Sequence, residues 1–134
     1  MIGWIRNFLA PISTRKTLGN RGERIAAQYL RRHGHKVLML NYRVRGGEID
    51  IVARERDTLV FVEVKTSGSG DGPAPHNQVT RTKQHRLTRA ARAYLAHYDR
   101  RPSFRFDVVS IVWVEGEKPR IQHLRNAFSP TYQI

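Results

Sequence analysis

One stretch constrains the fold of this chain more than any other: residues 46–66, GGEIDIVARERDTLVFVEVKT. It reads as two strands, Glu48–Glu55 and Thr58–Thr66, rich in Val, Ile and Phe and interrupted by the polar pair Arg56-Asp57. With Arg56-Asp57 as a two-residue hairpin loop, Asp50 faces Glu63 and Glu48 faces Lys65. Side chains alternate between the faces of a strand. Glu48, Asp50, Glu63 and Lys65 are therefore expected on one face, and Ile49, Ile51, Val60, Val62 and Val64 on the other. Val52, Leu59 and Phe61 share the carboxylate face, which argues that this face is at least partly covered. A turn of another length would slip the register and split the cluster.

Three carboxylates beside one amine are costly unless something offsets them. Opposed like charges destabilise a strand pair, and crowding two carboxylates raises one pKa unless a cation sits between them. A hard divalent ion such as Mg2+ resolves the conflict, because it takes oxygen ligands and commonly one or two carboxylates. Ion pairing of Lys65 with Glu48 or Glu63 on an exposed face resolves it as well. Pairing geometry alone leaves both readings open.

The rest of the chain sets the context. At 134 residues it is long enough for one domain with a real core. Lys and Arg number 24 against 11 acids, a net charge of +13, which predicts attraction to polyanions, nucleic acid first and an anionic membrane surface second. There is no cysteine, so disulfides and thiolate metal sites are excluded and a cytoplasmic location is the expectation. The apolar start, Met1–Ile12, is interrupted by Arg6 and Asn7, is too short to span a bilayer, and lacks the order of a signal peptide. It is expected to form a short helix or arm over residues 1–18, ahead of one domain over 19–128 and a loose tail over 129–134.

Taken in order, a first helix is expected from about Thr17 or Asn20 to His33, stopped by Gly34, with a stripe of Leu18, Ile25, Ala26, Tyr29 and Leu30. Glu23 lies at the edge of that stripe. It reads either as a solvated first-turn carboxylate favoured by the helix dipole or as a group turned toward a site, and the adjacent Gly19 and Gly22 suggest close backbone approach. His35–Val44 is a strand leading through Arg45-Gly46-Gly47 into the central hairpin. Ser67–Gln78 (SGSGDGPAPHNQ) is a loop directly following Lys65.

A second helix, about Val79–Tyr98, places Leu87, Ala90, Ala91, Tyr94, Leu95 and Tyr98 on one face and Arg81, Arg86, Arg89 and Arg92 elsewhere. With so few acids available for ion pairs, phosphate contact is the expected use of these arginines and of Arg45. Lys83 and Gln84, near the helix start, could point into the carboxylate site. Phe104–Val114 is an apolar interior strand in which Asp107 reads as structural. After a turn at residues 115–119, Arg120–Phe128 is the last strand.

The predicted fold is α/β: a mixed five-stranded sheet with helices on both faces. Here the residues carry a resemblance. Glu23 on a helix, Asp50 on one strand and Glu63-Val64-Lys65 on the next resemble the PD-(D/E)xK nuclease superfamily with its restriction-endonuclease-like fold. A fuller ordered set is more specific. It comprises GxxGE at Gly19–Glu23, NYR at Asn41–Arg43, GEIDIVA at Gly47–Ala53 and VFVEVK at Val60–Lys65, then the Lys83–Leu87 segment and FDVV at Phe106–Val109. Together these resemble the YraN family of bacterial proteins, related to Holliday-junction resolvases, over roughly residues 19–128.

The resemblance implies that Asp50, Glu63 and the Val64 carbonyl hold Mg2+ or Mn2+, and that Lys65 orients the attacking water and favours its hydroxide form. It implies that Glu23 completes the site, and that the reaction is phosphodiester hydrolysis with metal ions stabilising the attacking and leaving oxygens. Glu48 has no clear superfamily role; orienting Lys65 is one use for it. The expected function is a metal-dependent endonuclease acting on DNA, branched or otherwise structured, with a homodimer as one suitable assembly. The alternatives are a nucleic-acid-binding protein of the same fold that does not cut, and an anionic-membrane or assembly adaptor using residues 1–9.

Overall fold

The computed structural model describes residues 21–68 and 79–134. Helix α1 (Arg21–Arg32) precedes three strands, β1 (Lys36–Val44), β2 (Gly47–Glu55) and β3 (Thr58–Gly68). Helix α2 (Arg81–Leu95) follows, then β4 (Ser103–Trp113) and β5 (Arg120–Phe128). The sheet runs in the order β1-β2-β3-β4-β5, antiparallel throughout except for the parallel pair β3 and β4, which α2 connects. The expected mixed five-stranded α/β architecture is thus present, and it is consistent with a restriction-endonuclease-like fold. Expected residues 1–20 and the loop over 69–78 lie outside the described residues. Ser67 and Gly68, expected in the loop, extend β3 by pairing with Val112 and Trp113.

Alternation along the strands divides the core. On one face Val52, Leu59, Phe61, Phe106 and Val108 pack with Leu87, Ala90, Ala91 and Tyr94 of α2. On the other, Ile51, Val60, Val62, Val109 and Ile111 pack with Ala26, Ala27 and Leu30 of α1. Phe61, Leu59, Ile51 and Leu87 are completely buried, each stabilising the fold by about 1.5–3 kcal/mol relative to exposure.

Local chemistry fixes the helix ends. In α1, Glu23 stands in the first turn and Arg31 and Arg32 in the last, matching the helix dipole. Gly34, at φ 87°, ends it, with the His35 N–H donating to the Leu30 carbonyl at 2.9 Å, the arrangement of a Schellman cap. In α2, Thr80 Oγ1 accepts from the Lys83 N–H at 3.1 Å.

Two expectations are corrected. Ile49 does not share a face with Ile51. The pair Leu40–Ile51 packs toward α1, whereas Tyr42–Ile49 packs toward α2; Asn41, between Leu40 and Tyr42, takes left-handed backbone (φ 55°) at the same level. The C-terminal residues are not a loose tail. The Thr131 N–H donates to Thr88 Oγ1 at 3.1 Å, the Tyr132 ring meets His85, Ile134 packs against the α2-side core, and Arg101 donates to the Ile134 carbonyl.

Candidate active site

The hairpin forms with the expected register. Arg56-Asp57 is the loop, with Arg56 at φ 55°, and the ladder runs from Glu55–Thr58 to Ile51–Val62. There it stops. Beyond Ile51 the backbone pairs Asp50–Glu63 and Glu48–Lys65 are not formed. Instead Asp50 Oδ2 accepts the Val64 N–H at 2.8 Å. A side-chain carboxylate replaces the backbone carbonyl as acceptor, so the strands fork and the fork holds the acid.

Glu63 lies inside this fork. It is 3% exposed, and its Oε1 is buried without a hydrogen-bond partner. Its Oε2 is 3.4 Å from Lys65 Nζ and 3.7 Å from Lys83 Nζ of α2. Burial first, and the neighbouring Asp50 charge second, push the Glu63 carboxyl up to about 8 against the opposing pull of Lys83 and Lys65. The expected convergence of Asp50, Glu63 and Lys65 is therefore present, and Lys83 joins it from the helix. Ion pairing of Lys65 with Glu63 is present too, but in a buried fork rather than on an exposed face.

Other sequence candidates are placed as follows. Glu48 does not pair with Lys65; it lies 3.6 Å from Arg86 Nη2, because the strands have already parted at its level. Glu23 is 3% exposed, which removes the reading as a solvated first-turn carboxylate; it belongs to the helix on the face opposite α2. Gln84 does not enter the fork: its Nε2 donates to the Val79 carbonyl at 3.1 Å and secures the start of α2. Arg81, Arg86, Arg89 and Arg92 are exposed on α2. Arg89 Nε donates to the Arg45 carbonyl at 3.1 Å, so Arg45, Arg86 and Arg89 gather beside the fork.

Gly47 sets that gathering. A Cβ there would lie 2.5 Å from the Arg86 carbonyl oxygen and 2.9 Å from the Ala90 nitrogen, so only glycine lets α2 lie this close to β2. This contact, which brings Lys83 over Glu63, was signalled in the sequence only by the GG pair.

Among the described residues no group of three or more His, Asp or Glu side chains is arranged to hold a metal ion. The donor set for a cation is smaller: the Asp50 and Glu63 carboxylates with the Val64 peptide alongside. It suits a hard ion such as Mg2+, which is commonly bound through one or two carboxylates and retains several waters. Glu63 Oε1 is buried without a hydrogen-bond partner, and burial with the neighbouring Asp50 charge raises this carboxyl in spite of Lys83 and Lys65.

Asp107, expected to be structural, is completely buried and satisfied on all sides. It accepts from Arg105 Nε at 2.9 Å, His123 Nε2 at 2.8 Å and the Asn126 N–H at 2.9 Å. No described helix is long and apolar enough to cross a membrane.

Comparison with known proteins places the chain among bacterial relatives of similar length. It matches Uncharacterised protein family UPF0102 over residues 22–111. It is 48% identical over 118 residues to a UPF0102 protein of Geobacter metallireducens, covering 87% of this chain and 96% of the relative. To a UPF0102 protein of Nocardia farcinica it is 43% identical over 123 residues, covering 90% and 96%. To one of Syntrophomonas wolfei subsp. wolfei it is 46% identical over 114 residues, covering 84% and 98%. The fork, Gly47 and the first turns of α2 all lie within the matched segment, and the chain belongs to the UPF0102 family.

Proposed function

We propose that this protein is a metal-dependent endonuclease of the PD-(D/E)xK superfamily, cleaving phosphodiester bonds in DNA. The observation that carries the reading is the state of Glu63. It is a buried carboxyl beside a second one, pushed up to about 8, with one oxygen unpartnered and two ammonium groups within 3.7 Å. Perturbed carboxylates in such settings cluster at functional sites.

In this reading Asp50, Glu63 and the Val64 carbonyl hold Mg2+ or Mn2+. The ion, when bound, supplies charge that stabilises the attacking and leaving oxygens of the phosphodiester. Lys65, anchored on Glu63, orients the water that attacks phosphorus. Lys83, 3.7 Å from the same Glu63 oxygen as Lys65, is the second ammonium group of the site and would meet the scissile phosphate. Arg45, Arg86, Arg89, Arg81 and Arg92 contact the flanking backbone through phosphate, which positions the strand without reading its sequence. The superfamily resemblance also assigns Glu23 to the site; it is buried in the first turn of α1, on the face opposite α2.

One observation favours a second reading, a nucleic-acid-binding protein that does not cut. Lys65 and Lys83 together already neutralise Glu63 in part, so the fork can persist without an ion. A cleavage screen on duplex, flap, four-way and single-stranded DNA, with and without Mn2+, separates the two. The nuclease reading predicts metal-dependent product abolished by Asp50→Asn and by Lys65→Ala. Salt-sensitive binding that survives both changes, with no product on any substrate, supports the second reading and contradicts the first.

A further inference from the structure

On the sheet face opposite α2, between α1 and the start of β5, lies a cavity of about 360 Å3, within the range of small-ligand sites. Helix spacing assembles one wall, since Ile25, Gln28, Tyr29 and Arg32 project from a single side of α1. Lys118, Pro119 and Ile121 close the other side. Its charge is one-sided: among the described residues Arg32 and Lys118 line it and no acid does, while the nearby Glu117 is engaged by Arg120 at 3.4 Å.

The aromatic part of the wall is held rigidly. Tyr29 stacks on His33 with ring centroids 4.1 Å apart, and its hydroxyl lies 3.3 Å from His123 Nδ1. His123 Nε2 is in turn 2.8 Å from Asp107, which is completely buried. Asp107 also accepts from Arg105 and from the Asn126 N–H, so it serves as a carboxylate acceptor. His123 Nε2 therefore donates to Asp107, and Nδ1 is left to hydrogen-bond with the Tyr29 hydroxyl. A chain of hydrogen bonds from the core thus fixes the ring that the cavity presents, which preorganises the wall.

We propose that this cavity binds a nucleoside monophosphate group, with the phosphate between Arg32 and Lys118 and the base against the Tyr29–His33 wall. The guanidinium matches phosphate oxygens bidentately and the ammonium adds a point charge. The aromatic surface with Ile25 and Ile121 accepts a flat, largely apolar body, as sequence-tolerant base stacking requires. The same group occurs as a free nucleotide and at the 5′ end of a strand, and one site serves either source. The inference is independent of whether Asp50 and Glu63 hold a metal.

Isothermal titration of the full chain with adenosine 5′-monophosphate, in EDTA, tests it. Saturable one-site binding is expected, weakened roughly tenfold by Arg32→Ala or Lys118→Ala, both at exposed positions, and unchanged by Arg100→Ala, an exposed arginine outside the lining of the cavity. Adenosine and inorganic phosphate should each bind at least roughly tenfold more weakly than the nucleotide. A 5′-phosphorylated oligonucleotide with the same Arg32 and Lys118 dependence extends the site to strand ends; binding of the free nucleotide alone restricts it to the soluble ligand. No saturable binding, equal binding of inorganic phosphate, or loss on Arg100→Ala instead would overturn the assignment.

Discussion

Two acids in this protein are almost equally buried and behave in opposite ways. Asp107 is 0% exposed and Glu63 is 3% exposed. Burial alone would raise both. Yet Asp107 is held below its ordinary range, because hydrogen bonds from His123, Arg105 and the Asn126 N–H outweigh its burial. Glu63 is pushed up to about 8, because burial is reinforced by Asp50 and only partly opposed by Lys83 and Lys65. Partner supply rather than depth separates a structural carboxylate from one suited to bind a cation.

The largest effect should come from the satisfied region. Asp107→Ala removes the acceptor of Arg105 Nε, His123 Nε2 and the Asn126 N–H inside the core, with Arg105 keeping Glu55 at 2.9 Å, and should cost about 3–5 kcal/mol in chemical denaturation. A loss under about 1 kcal/mol would mean that the network contributes little, and the contrast with Glu63 would dissolve. Next comes Gly47→Ala, which forces α2 away from β2 and should cost about 1–3 kcal/mol. Because it also withdraws Lys83 from Glu63, it should weaken nucleic-acid binding beyond what stability explains, as filter binding on the still-folded variant would reveal.

Opposite pKa shifts predict opposite pH slopes. Asp107, depressed from 3.8, contributes stability present above that value and lost as the pH falls through its folded pKa. Glu63, raised from 4.5 to about 8, contributes stability present below 4.5 and lost as the pH rises through about 8. Metal-free Glu63→Gln should therefore gain on the wild type by about 1.4 kcal/mol or more between pH 6 and pH 9 in urea titrations. Parallel curves would show that Glu63 is not strained. The smallest effect belongs to Arg86→Ala, whose pairing with Glu48 is partly exposed: under about 1 kcal/mol of stability, with DNA affinity lowered uniformly across sequences and a shallower salt dependence.

Much of this was legible in the chain because local rules set it. The turn at Arg56-Asp57 fixed the hairpin register as far as Ile51–Val62, and alternation then placed Val52, Leu59 and Phe61 under α2. What strict alternation could not foresee was its own interruption. Ile49 leaves the face of Ile51 at the level of the left-handed Asn41, and the fork at Asp50 frees Glu48 to reach Arg86. Nor could local pattern join Asp107 to His123 on the neighbouring strand, since a register shift between Phe106 and Val108 sets that approach. The docking of Thr131 on Thr88 was equally hidden, resting on contacts between residues far apart in the chain.

Uptake of a divalent ion by the Asp50–Glu63 fork is the central proposal. Calorimetric titration of Mn2+ at pH 7, in buffers of different ionisation enthalpy, counts the protons released on binding. Because Glu63 titrates near 8, most of one proton per ion should be released, and Glu63→Gln should abolish that release. Binding without proton release, or no binding at the fork at all, would contradict the claim that this carboxyl awaits a metal.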